Sequence, residues 1–254
     1  MKRYRRPGMA LESGRTEIDR LLQGLHHPYH NREHALFRLG MVMEMAGHLQ
    51  RHERLEKDAE LLLETCALAL DLGRPGSCGI PSESDGRNYE ERAADMAEDL
   101  FNGRIPRKSI RDMRDLIMAY PSRWNDYEKG IVNKRMATSK AKRILGLSDV
   151  FYFSQEWDVF LESAFRLAEE CPFHGFPFPA DGFIDDCKRF LESFVRRHLV
   201  HMKDVFEQDY YLGLLGSYKR TVSSLEALRK DERKKKEIQE RLDRIPHGVD
   251  ALFA

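Results

Sequence analysis

Apolar positions recur at three- and four-residue spacing along most of the chain. They run through Ile18, Leu21, Leu22 and Leu25, and again through Leu36, Leu39, Val42, Met43 and Ala46, a spacing that predicts helices. From Leu61 to Leu70 the chain is apolar nearly all round, as a central helix covered on every side should be. Asn88, with Glu91 three residues on, is a capping pair that opens a further helix through YEERAADMAEDLF. The same reading gives helices over 107–119, 133–146, 156–170, 183–201 and 207–243. Period-two alternation is nearly absent, so the expected fold class is all-α, a helical bundle.

Two segments interrupt the pattern. GRPGSCGIPSESDGRN (73–88) is rich in Gly, Pro, Ser and Asp, and CPFHGFPFPADG (171–182) is an irregular stretch packed by its own aromatic rings. From Lys219 to Arg244 the chain turns into a charged helix with sparse apolar positions at Leu225, Leu228, Ile238, Leu242 and Ile245. It reads as a solvated arm or a packing flap, with partner capture or homodimer formation as the sharper alternative. The expected organisation is a flexible basic N-terminus over 1–17, a helical domain over 18–215, and a charged C-terminal helix and tail over 216–254.

Composition narrows the partners. Charged residues make up 33% of the 254, above the roughly 25% of an average soluble protein, yet the formal net charge is zero. Whole-chain charge therefore favours no polyanionic partner, and only local charge can. No apolar run approaches the roughly 18 residues needed to span a bilayer, so a membrane partner is not expected. The start, MKRYRRPGMALESG, has no apolar stretch behind its basic residues and does not read as a secretory signal. Cys66, Cys78, Cys171 and Cys187 are scattered without a CxxC pair, which suits reduced thiols in a cytoplasmic protein.

Candidate chemistry begins in HHPYHNREHALF (26–37). His30 and His34 are four apart and share a helix face, a spacing that lets two imidazoles approach one ion. The apolar helix after it ends in a lone acid, Asp71, followed by a Gly/Pro break. Taken in order, YHNREHA, that acid, NYEERAADMAEDL and LGLSDVFYF resemble the skeleton of the HD-domain metal-dependent phosphohydrolase superfamily over roughly residues 18 to 215.

The resemblance implies an all-α fold holding one or two divalent metals. It puts metal ligands at His34, Asp71 and Asp149, and at His30 the imidazole that protonates a leaving oxygen. Glu90 and Glu91 fall where side chains orient such a site. Here the sequence departs from the pattern, because Leu70 stands where the histidine of the His-Asp pair belongs. Leucine has no lone pair, so three protein ligands remain, one imidazole and two carboxylates. That is a harder set, suited to Mn or Mg, with Fe as a further option. Arg74 brings a permanent positive charge to a place where some relatives carry another histidine.

A basic stretch, KGIVNKRMATSKAKRIL (129–145), leads into Asp149. With Arg74, its Lys134 and Arg135 are candidate contacts for a phosphate-bearing small molecule. Nucleic acid is disfavoured because no aromatic residues interleave the charges. The expected function is a degenerate HD-type protein with weak or no phosphohydrolase activity, keeping a phosphate-ligand pocket or a regulatory role. On that reading, Leu70→His alone should raise metal occupancy. Two alternatives stay open: an active phosphohydrolase on a nucleotide or small phosphoester with a three-ligand metal site, and an interaction protein acting through its C-terminal helix.

Overall fold

The computed structural model describes residues 7–74, 89–119, 139–170 and 179–245. The Asn88 cap, Cys78, Lys134, Arg135, Cys171 and His174 lie outside the described residues, as do the greater parts of the two irregular segments. All regular elements among the described residues are helical, as the periodicity predicts. None of these helices is long and apolar enough to cross a membrane.

The chain forms two compact units that part chiefly at Asp149 and Val150, with Asp204–Glu207 grouping with the first and His27–Tyr29 with the second. The first unit opens with α1 (Pro7–Leu22) and α2 (Arg32–Gly47), followed by α3 (Lys57–Ala69) and a single tight turn, Leu70–Gly73. It is completed by α4 (Tyr89–Phe101), α5 (Arg107–Ile117) and α6 (Lys140–Asp149). The expectation of a flexible 1–17 is corrected for residues 7–17, which are helical. Pro7 suits a first helical position, and Ala10, Leu11, Ile18 and Leu22 form a buried stripe that the periodicity caught only from Ile18 onward.

Helix α3 is the centre of this unit, with every residue from Leu62 to Ala69 buried. It packs against α1, α2, α4, α5 and α6, which accounts for its nearly uniform apolar sequence. Glu64, the exception, is ion-paired with Arg15 of α1.

On α2 the buried face keeps Val42 and Ala46 of the predicted stripe but not the rest. His34, Ala35, Arg38, Val42, Met45 and Ala46 point inward, whereas Leu36 and Met43 are 36% and 52% exposed. The apolar stripe was phased on hydrophobicity, but the face is set by what Arg38 and His34 bind.

The second unit holds α7 (Trp157–Glu170), α8 (Ala180–Phe190), a wide turn Leu191–Val195, α9 (Arg196–Met202), α10 (Gln208–Arg229) and α11 (Glu232–Leu242). Aromatic rings fill it; Phe165 and Phe183 stack with centroids 4.8 Å apart. The expected single helix over 207–243 breaks after Arg229, where the Asp231 side chain caps α11 by accepting from the Lys234 backbone N–H. Helix α11 is a packed member of the unit: Ile238 and Leu242 are buried, and the Arg241 guanidinium lies 4.0 Å over the Phe165 ring.

Candidate functional site

Local chain chemistry places the first residue. The Asn31 side chain accepts the backbone N–H of His34 at 3.0 Å, capping α2 and fixing His34 in its first turn. One turn further along the same face comes Arg38. Asp71 lies in the tight turn that closes α3, and Asp149 is the last residue of α6. All four are buried, and the fold brings them together.

Arg38 sits at their centre, only 1% exposed. Its Nη2 donates to Asp71 Oδ2 at 2.8 Å, its Nη1 to Asp149 Oδ1 at 2.5 Å, and its Nε to the Ala67 carbonyl at 2.6 Å. One planar fork thus joins α2, α3, the turn after it and α6. Burial alone would lower the guanidinium's pKa; the two aspartates outweigh it and raise it instead. Burial likewise works against both carboxylates' charged forms. Arg38, with His30, His34 and Arg74, still holds Asp71 below the usual range, and His34 with Arg38 holds Asp149 well below it.

Ionised Asp149 has only acceptor atoms, so the 2.9 Å contact between its Oδ1 and His34 Nε2 requires the imidazole to donate there. The His30 ring stands edge-on to that of His34, centroids 5.7 Å apart. Arg74 Nη2 lies 2.7 Å from His30 Nε2. A guanidinium has no acceptor, so His30 offers its lone pair to Arg74 and carries its proton on Nδ1. The imidazole that the resemblance implies as a proton donor faces Arg74 as an acceptor.

Arg74 is half-buried and rests 4.5 Å over the Tyr89 ring. This placement depends on Gly73, where an added Cβ would lie 1.8 Å from the Tyr89 carbonyl oxygen. Backbone cannot yield as a side chain can. Gly73→Ala is therefore expected to destabilise the fold by about 1–3 kcal/mol, the usual cost of overpacking, and to displace Arg74. Urea unfolding checks the first effect; an unchanged midpoint would show that the turn adapts.

Glu90, in the first turn of α4, is buried with Oε2 unpartnered. Burial pushes its carboxyl up to about 7, offset in part by its own backbone N–H and Arg74 and reinforced by Asp149 and Asp71. It belongs electrostatically to the same cluster. Glu91 stands beside it, half-buried. Glu64 of α3, another buried acid of this unit, is held by Arg15.

The donors that the resemblance implies for a divalent metal are engaged by protein partners. Such an ion needs lone pairs from His34 Nε2, Asp71 and Asp149. Here His34 Nε2 bears a proton, while Asp71 Oδ2 and Asp149 Oδ1 accept from Arg38. Among the described residues, no three His, Cys, Asp or Glu side chains are arranged to share an ion. Sequence reasoning missed Arg38, Asn31 and Gly73. The signal for Arg38 was its spacing: four residues after a candidate ligand, a charged side chain shares that ligand's face and must find a counter-charge there.

Comparison with protein-family models, with curated proteins and with solved structures returned no match.

Proposed function

We propose that this chain is a degenerate HD-type domain that binds a phosphate-bearing small molecule and does not hydrolyse it through a metal. What supports the resemblance is the meeting of His34, Asp71 and Asp149, far apart in sequence, around one buried point. The observation that carries the non-hydrolytic reading is the commitment of both aspartates to Arg38. Water activation by an ion requires those carboxylates, and general-acid catalysis from His30 Nε2 requires a proton that Arg74 displaces. Arg74 remains as a half-buried cation at the edge of this cluster, and its permanent positive charge is what a phosphate would meet there.

Calorimetry with inorganic phosphate and nucleoside monophosphates tests the reading. At least one should bind, and Arg74→Ala should weaken it about 10- to 100-fold, the usual worth of a hydrogen bond to a charged group. Absence of binding by the whole panel counts against the proposal. Mn²⁺-stimulated phosphoester hydrolysis that disappears in Asp71→Ala overturns it.

A further inference from the structure

We infer that Arg38 is the resident cation of this site, filling with its own guanidinium a latent divalent-cation site that opens only when Arg38 and Leu70 are both replaced. The inference rests on the metal-free reading above and goes beyond it by naming what took the ion's place and what would readmit it.

Two buried carboxylates on separate elements, Asp71 and Asp149, need a positive charge between them, since an uncompensated buried charge is strongly destabilising. A divalent ion or a guanidinium can supply it. A small ion gathers lone pairs at one point and needs several donors there; a guanidinium spreads its N–H groups in a fork and reaches acceptors that are further apart.

The chain has the features of the second solution at two positions. Leucine stands at residue 70, next to Asp71, and contributes no donor. Arginine stands at residue 38, and its three nitrogens meet three acceptors from three elements. The two residues are complementary: leucine at 70 leaves an ion one donor fewer, and the guanidinium of Arg38 supplies the positive charge. The two cations compete, because Arg38 takes one oxygen of each carboxylate and sets a like charge at the same point, and its buried stem ties it to the inner face of α2 beside Ala35 and Val42.

This alters the expectation for Leu70→His. With Arg38 in place, a new imidazole would adjoin carboxylates already engaged by a cation, and metal occupancy should not rise. The test follows Mn²⁺ binding to the full chain by the loss of the free-ion paramagnetic resonance signal. It compares the unaltered protein, Leu70→His, Arg38→Ala, and Arg38→Ala/Leu70→His with and without Asp71→Asn. The double variant should bind Mn²⁺ on the order of tenfold or more tightly than either the unaltered protein or Leu70→His, and Asp71→Asn should remove that gain.

Equal binding by Leu70→His alone overturns the inference, and so does a double variant that gains nothing. Leu70→His keeps every Arg38 bond, so its result is informative even if Arg38→Ala folds poorly. For the Arg38 variants, thermal unfolding with and without Mn²⁺ or methylguanidinium gives a second readout. Methylguanidinium should raise the melting temperature of Arg38→Ala and leave the unaltered protein's unchanged; no rescue by either cation counts against a resident-cation role. A phosphate panel that fails to bind would remove the functional proposal and leave this result standing. A failed double variant would do the reverse.

Discussion

Arg38→Ala is expected to cost about 3–5 kcal/mol of stability at neutral pH, the range seen when one partner of a buried ion pair is removed. The loss is large because three acceptors are stranded together: Asp71, Asp149 and the Ala67 carbonyl. Arg38→Lys should recover only part of it, since one ammonium cannot reproduce a planar fork reaching three points.

The pH dependence gives the sign. In the unaltered protein both carboxylates are held below their usual range, so the stability they contribute is present above about pH 4 and is lost as pH falls through their folded values. In Arg38→Ala both carboxyls lose that guanidinium and keep only the imidazoles and, for Asp71, Arg74, so burial pushes them upward from where Arg38 holds them. The stability lost on acidification is then smaller than in the unaltered protein. The deficit should be greatest near about pH 8 and narrow toward about pH 4, which urea unfolding across that range will show. A deficit independent of pH would mean that Arg38 matters for packing and not for charge.

Glu90→Gln should act in the opposite direction. Folding moves this carboxyl from an ordinary 4.5 up to about 7, so the folded protein prefers the proton. Between those values the folded state holds a proton that the unfolded chain has released, and stability declines as pH rises. Above about 7 the full penalty is in place, about 3 kcal/mol. Glutamine has nearly the same shape and cannot ionise, so the variant should be more stable than the parent by up to that amount near about pH 8 and indistinguishable near about pH 4. A constant difference at all pH values would show that Glu90 ionises in the fold without penalty.

Helix content was legible because burial and the 3.6-residue period are both written in apolar spacing. The central helix α3 is the clearest case: packed against α1, α2, α4, α5 and α6, it had to be apolar on nearly every side, and Leu61 to Leu70 is. The convergence of His34, Asp71 and Asp149 was also anticipated, but from resemblance and not from the period. Phase on α2 was misjudged because hydrophobicity scales rank arginine and histidine as outward, while here they are the inward residues. The break between α10 and α11 was missed because Asp231 serves as a cap only once the chain has turned.

The sequence by itself determined an all-α chain, an acid at the end of its central helix, and the absence of a histidine at residue 70. Tertiary structure alone decided what that acid does. A carboxylate's role depends on which cation reaches it, and cations are brought by contacts far apart in sequence. Arg38 is separated from Asp149 by 111 residues and bonds to it in the fold. The periodicity of α2 can mark Arg38 as facing inward, but only the packing of α3 and α6 against that face sets the two aspartates around its guanidinium.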